Sequence, residues 1–324
     1  MNRPPSILVD TGFEVDQNGA LDEIVIPKVV ATCNVPRKVT FEGQTLNWIP
    51  SNASTLQELS APNVVTLNSS ICSGFTELTD VSFNNLETIN ASPFYNCSKL
   101  TTVNMPKLTS ITDVSTGNHL GGVFNRCLAL TSINLPSLQS ITTPYNTAGT
   151  FAGCTGLTQI ILPSLTNISL SSSSTGTFYN CTSLVDLQLP SLTTILSSAS
   201  SQLFTNCSSL QTLNLPELSS IANATSTASQ GAIVKNNTSL QTLLLPKIKT
   251  IAAFANGFGA FSACTGLTSI QLGSAGNPVV SIASNAFYQC TQSGLTITVY
   301  TQGGAALSGS PWGATNATIE YEEA

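Results

Sequence analysis

The chain has 324 residues, of which only 8% are charged, with ten Lys and Arg against sixteen Asp and Glu and a net charge of −6. Charged residues make up roughly a quarter of an ordinary globular chain, so cations this sparse exclude the clustered basic face that holds nucleic acid and the polybasic run that holds an anionic membrane surface. No apolar stretch approaches the ~20 residues of a spanning helix, so direct membrane insertion is not expected.

Taken in chain order, residues 1–30 carry no continuous apolar run after Arg3, and no secretory signal peptide is read from them. Leu21, Ile24, Ile26, Pro27 and Val29 form a weak copy of a phrase that becomes regular further on, so residues 1–55 read as an N-terminal cap with a degenerate first repeat. Phe41, Trp48 and Ile49 are expected to close its core. From residue 56 the phrase Phe-x-x-Cys-x-x-Leu-x-x-Ile-x-Leu-Pro-x-Leu-x-x-Ile recurs, most cleanly as Phe178, Cys181, Leu184, Leu187, Leu189, Pro190, Leu192 and Ile195, then Phe204, Cys207, Leu210, Leu213, Leu215, Pro216, Leu218 and Ile221. Its Pro falls at 106, 136, 163, 190, 216 and 246, at spacings of 30, 27, 27, 26 and 30. Pro62 and Asn84 hold the slot at 22-residue spacing before them, and Gly273 holds it after.

Counting the first Leu of each copy gives about nine repeats of 22–30 residues, over residues 56–294. Fixed-period self-similarity means a solenoid, in which each repeat buries its apolar edge only against its neighbours. Within each copy the alternation Leu-x-x-Ile-x-Leu predicts a short strand with one buried face, as in Leu213-Asn214-Leu215. Stacked once per coil, these strands make one parallel sheet face, with the remaining segments returning along a back of irregular or short elements. The Pro that follows each strand cannot donate to a ladder and ends every strand at one level. Phe94, Phe124, Phe151, Phe178, Phe204, Phe261 and Phe287 are expected to stack as an internal spine, with Val234 as its weak rung. Inserts rich in Ser, Thr, Ala and Gly follow the last Ile of many copies, as in SLSSSSTGT. They are read either as polar loops bulging from the coil or as a second ladder. Leu295, Ile297 and Val299 continue the alternation into 295–324, read as a C-terminal cap of one continuous domain.

These residues resemble the BspA-like, bacterial-type leucine-rich repeat family, with Cys before the first Leu and Leu-Pro after the strand. The resemblance spans about residues 56–290. It implies a right-handed leucine-rich solenoid whose strand sheet lines one face, in proteins that are typically surface-located or secreted and in several cases act as adhesins. The departure is repeat length, since the family's usual 22 or 23 residues is matched here only by the two earliest spacings.

Chemistry is scarce. Seven of the nine cysteines, Cys97, Cys127, Cys154, Cys181, Cys207, Cys264 and Cys290, occupy one repeat slot, with Asn237 substituting once. They contain no Cys-x-x-Cys pair of the kind that holds zinc, and parallel Cβ vectors disfavour disulfides between coils. A column of buried free thiols is expected, in which Cys72 has exchanged places with Phe75. His119, the only histidine, sits in an insert, and Asp80 and Asp186 lie several coils apart. No catalytic residue, metal site or cofactor is expected. Asn-Cys-Ser/Thr at Asn96, Asn180 and Asn206 is explained by repetition rather than by glycosylation.

What remains is the outward row of the strand sheet. Its candidate binding residues are Gln159, Ile161, Asp186, Gln188, Thr212, Asn214, Thr242 and Leu244, a row of amides and hydroxyls broken by two aliphatic side chains. Extended solenoid faces commonly bind partners, and a row without aromatic platforms for sugar favours a protein over a glycan. Two function classes stay open. One is a non-enzymatic, adhesin-like binding module at the cell surface or secreted; the other is a structural or scaffold protein acting inside a cell or on a phage particle.

Overall fold

The structure is a computed structural model that describes residues 24–26, 38–44, 46, 55–113, 121–143, 149–170, 176–197, 202–223, 232–252 and 259–324. All its strands lie in parallel ladders, and its only regular helical element among the described residues is a short 3-10 turn, Gln302–Gly304. Each coil runs through a face strand, a Pro turn, a back strand and a pair of turns at the Phe and Cys slots.

The face strand is centred on the alternating segment, for example Ser132–Asn134 and Thr212–Asn214, whose middle residue is buried and whose flanks are exposed. The Leu or Met at the end of each alternating segment then opens a β-turn. Met105, Leu135, Leu162, Leu189, Leu215 and Leu245 each accept the N–H three residues on at 3.2–3.3 Å, with Pro at the second turn position. Proline's fixed φ suits that position, so the Pro shapes the corner as well as ending the ladder. The residue following the Pro slot ties adjacent corners together, because Ser137, Ser164, Ser191 and Ser274 donate to the slot carbonyls of Pro106, Pro136, Pro163 and Pro246 at 2.6–2.8 Å.

The back is more regular than the sequence pattern suggests. A nine-stranded parallel ladder runs from Thr66–Leu67 through Ser110–Thr112, Ser140–Thr143, Asn167–Leu170 and Thr194–Ser197 to Ser281–Ile282. It is centred on the last Ile of each copy, so that Ile111, Ile141, Ile168, Ile195, Ile221 and Ile251 pair in register. The Leu-x-x-Ile segment has too few residues to show period 2, which is why its strand character is not visible in the sequence. A third, shorter ladder pairs Phe204–Thr205, Val234–Lys235 and Phe261–Ser262.

The face array itself extends past the nine repeats. Ile24–Ile26 and Lys38–Phe41 pair ahead of Glu58–Ser60, and Thr296–Thr301 and Thr318–Glu323 add two further rungs at the other end. Trp312, fully buried, accepts the Phe287 N–H at its carbonyl. The ladder is interrupted between Thr102–Asn104 and Ser132–Asn134, and again between Asp186–Gln188 and Thr212–Asn214. At both breaks the inward residue, Val103 or Leu187, is only partly buried. Trp48, Ile49, Cys33, His119 and the greater part of the Ser/Thr-rich inserts fall outside the described residues.

Between the ladders lies one continuous core. The rings from Phe94 to Phe204 stack at centroid distances of 5.2–5.7 Å with interplanar angles of 11° or less, and Phe261 stacks on Phe287 at 5.5 Å. Val234 occupies the rung between these two runs. A buried aromatic of this kind contributes ~3–5 kcal/mol against truncation to Ala.

The residue before the Cys slot explains the recurrent Asn. Asn96, Arg126, Gly153, Asn180, Asn206, Asn236, Ala263 and Gln289 all take positive φ, between 54° and 71°. Left-handed backbone costs most L-residues ~1–2 kcal/mol, and Gly and Asn bear it best. Asn236 also donates its amide to Asn206 Oδ1 at 3.3 Å. Arg126, Ala263 and Gln289 are neither Gly nor Asn, and of the three Ala263, at φ 54°, is the one without a polar side chain. Ala263→Asn or Ala263→Gly is therefore expected to stabilise the protein by ~0.5–1 kcal/mol, read as a higher urea midpoint; an unchanged or lower midpoint would contradict the strain assigned to this position.

Candidate functional site

The candidate row sits on the outer side of the face strands, and the structure divides it into two groups across the second ladder break. Gln159 pairs in register with Asp186, and Ile161 with Gln188. Asp186 accepts from Gln159 Nε2 at 2.7 Å and from Gln188 Nε2 at 3.0 Å, so two carboxamides hold one carboxylate. Beyond the break, Thr212 pairs with Thr242, and Asn214 with Leu244. Gln188, Thr212 and Asn214 are exposed, while Gln159, Asp186 and Thr242 are half-buried. Ile161 and Leu244 are also only half-buried, because coil neighbours on both sides cover part of each aliphatic chain. The most exposed aliphatic side chain near the row is Val185, at 54%. It sits where other coils carry Thr101, Thr131 or Thr158, and that departure from the column was the signal available in the sequence.

Charge gathers at the two ends of the face. Lys38 reaches Glu58 at 3.5 Å, and Glu58 stands beside Asp80 in register. The last rung of the sheet carries Glu320, Glu322 and Glu323. The stretch between, from Thr102 to Gln271, has Asp186 as its one charged outward residue.

The cysteine slot performs a backbone task. Cys127, Cys154, Cys181, Cys207 and Cys290 are buried, and each Sγ donates to the carbonyl of a Phe one coil earlier, Phe94, Phe124, Phe151, Phe178 and Phe261, at 2.9–3.4 Å. Cys97 donates instead to the Cys72 carbonyl at 3.2 Å, and Leu78 N–H bonds the Phe75 carbonyl as Leu100 N–H bonds that of Cys97. Cys72 thus stands in the Phe position and Phe75 in the Cys position. Asn237 reproduces the same bond with its amide, donating to Phe204 O at 2.8 Å while its Oδ1 accepts the Cys207 N–H at 2.8 Å. Desolvation pushes the thiols of Cys97, Cys154 and Cys207 up to about 12. A hydrogen bond to Cys290, with burial, holds the proton on Cys264. The same bond lowers the pKa of Cys290. Nucleophilic chemistry needs the thiolate, so brief alkylation of native protein is expected to leave Cys97, Cys154, Cys207 and Cys264 unmodified, with near-complete modification after denaturation; disulfide-linked peptides between coils would contradict this arrangement.

Asp113 is a fully buried carboxylate where the chain leaves the back ladder. Its Oδ1 accepts from the Val123 N–H at 2.9 Å and its Oδ2 from the Thr150 hydroxyl at 2.5 Å. Desolvation raises its pKa from 3.8 to about 7, against the lowering effect of these two bonds. In the corresponding pair one coil on, Thr143 and Thr177, both buried hydroxyls lack a partner among the described residues. Because the folded pKa lies above the unfolded one, this residue's contribution is most favourable below pH ~4 and is lost as pH rises to ~7. Asp113→Asn keeps an acceptor for Val123. The stability of wild type relative to that variant is therefore expected to fall between pH ~4 and ~7, and a difference independent of pH would refute the assignment.

Among the described residues no cluster of three His, Cys, Asp or Glu side chains could hold a metal ion, and no helix is long and apolar enough to cross a membrane. The BspA type leucine rich repeat region matches residues 23–119, 121–256 and 231–303. The chain belongs to the BspA-type leucine-rich repeat family. Repeats of this family are in general protein-interaction scaffolds rather than enzymes, typically in surface or secreted bacterial proteins.

Among solved structures, a leucine-rich repeat protein from Bacteroides ovatus is 21% identical with a TM-score of 0.41, over 78% of this chain and 61% of that one. The T. pallidum leucine rich repeat protein is 20% identical with a TM-score of 0.41, over 74% of this chain and 91% of that one. A leucine rich cell surface protein from Faecalibacterium prausnitzii is 18% identical with a TM-score of 0.29, over 78% and 88%. This chain thus spans less than two thirds of the Bacteroides ovatus protein. No curated protein gives a significant match.

Proposed function

We propose that this protein is a non-enzymatic, adhesin-like binding module, secreted or displayed at the cell surface, that recognises a protein partner on its strand face. The observation that carries this reading is the face row itself: in-register side chains, nearly free of charge between Thr102 and Gln271, held on short strands by a packed core. The Gln159–Asp186–Gln188 network supports it further, since side chains already fixed by hydrogen bonds lose less freedom when a partner docks. Family membership points the same way, because BspA-type repeats are typically interaction scaffolds.

Binding energy at protein interfaces concentrates in a few well-packed contacts. Ile161 and Leu244 are the apolar members of the row, and Gln159, Asp186, Gln188, Thr212, Asn214 and Thr242 supply directional hydrogen bonds around them. With so little charge, association depends on shape and hydrogen bonding more than on electrostatic steering. In a binding screen against extracellular-matrix proteins, Ile161→Asp with Leu244→Asp is expected to weaken the partner found by about tenfold or more while the variant still melts cooperatively as a folded protein. Full binding by that double variant would remove the site from the strand face.

A further inference from the structure

Beside the strand face, at the corner where each coil turns from the Cys slot into its first Leu, lies a groove of about 410 Å³. Gln211, Gln241 and Thr268 line it from the position after the first Leu of three successive coils, and Thr238, Ser239 and Gln292 line it from the turns that follow the Cys slot. Its floor is Gly266, where a Cβ would come within 2.2 Å of the Thr238 carbonyl, so backbone alone fits there. No charged side chain lines it.

The two glutamines depart from a column whose job is otherwise structural. In that position Thr79, Thr101, Thr158 and Thr268 each donate a hydroxyl to the carbonyl of the coil before, at 2.9–3.3 Å. Gln211 and Gln241 replace this bond in adjacent coils with exposed carboxamides, and neither side chain, nor that of Gln292, bonds another described residue. Each free carboxamide offers two donors and two acceptor sites. These amides do nothing for the coil and are aimed at a common uncharged groove.

We infer that this groove is a binding site for a neutral oligosaccharide, distinct from the strand face. No aromatic ring lines the groove either, so a sugar would be held there by hydrogen bonds alone: its hydroxyls both donate and accept, as carboxamides and Ser/Thr hydroxyls do, and a neutral sugar asks for no compensating charge. Spacing separates a sugar from a peptide. Adjacent coils joined in the parallel ladder lie ~4.7–4.9 Å apart, close to the length of one sugar unit in an extended glycan. An extended peptide presents one face only every ~6.6–6.8 Å, two residues of strand, and would fall out of step with successive coils.

The test uses an immobilised array of neutral tetra- to hexasaccharides built on glucose, galactose, mannose and N-acetylglucosamine, beside sialylated and sulfated sugars and a peptide array, with hits titrated by calorimetry. At least one neutral oligosaccharide is expected to bind, with an affinity unchanged between low and high salt. Gln211→Ala with Gln241→Ala is expected to weaken it by about tenfold or more at an unchanged melting temperature. Ser239→Leu, which fills the groove, is expected to abolish it. Ile161→Asp with Leu244→Asp is expected to leave sugar binding intact, which separates this site from the protein-binding face. Absence of any neutral ligand at millimolar concentration, full binding by the glutamine double variant, or binding confined to anionic sugars or to peptides would overturn the proposal.

Discussion

The structure depends on one constraint: every coil must satisfy its backbone polar groups and cover its apolar edge using only the coils on either side. A globular domain can draw partners from anywhere in its core, whereas a solenoid cannot. The solution is in-register stacking, where equal side chains meet equal side chains along the whole array. Ile111 lies over Ile141 and Ile141 over Ile168, and the ring of Phe124 lies over that of Phe151. Register leaves little slack, since a one-residue slip would turn each face strand's buried residue to solvent.

The same constraint accounts for a chain rich in hydroxyls and poor in charge. At the corners, where the chain turns too sharply for ladder bonds, small side chains supply the missing donors. Serines after the Pro slot bond the preceding slot carbonyl, threonines after the first Leu bond the preceding coil, and thiols bond the Phe carbonyl. Asn237 shows that the Cys slot requires a donor reaching the preceding coil's backbone rather than sulfur chemistry, since its amide makes the same bond. Charge pairs occur where one coil supplies each sign, as in Lys99 with Glu77 and Lys247 with Glu217. Both pairs are solvent-exposed and contribute little to stability.

Several of the residues proposed to bind partners depart from the consensus, whose own positions are committed to stacking. Asp186 within the face row, the exposed Val185, and the carboxamides of Gln211 and Gln241 all lie on neighbouring coils in one half of the array. The proposed binding face and the flanking groove are thus adjacent parts of one surface, supported by the repeats that flank them.

Much of this was legible in the residues. The solenoid, the face strands, the Phe spine, the Val234 rung and the exchange of Cys72 with Phe75 all follow from side chains that recur at fixed offsets, because in-register stacking writes each contact into the sequence once per coil. The nine-stranded back ladder was not, because its strands are two to four residues long and show no period of their own; only neighbours in space make them a sheet. Nor was the positive φ before the Cys slot, since Asn beside Cys reads equally well as bare repetition until the turn is seen. The ladder breaks, the partial cover over Ile161 and Leu244, the clasp of Asp113 on Val123 and Thr150, and the groove over Gly266 were decided by tertiary structure alone. Each depends on how coils of unequal length, from 22 to 30 residues, are brought into contact. A repeating sequence specifies what stacks on what, while the spaces left where unequal coils meet exist only in three dimensions.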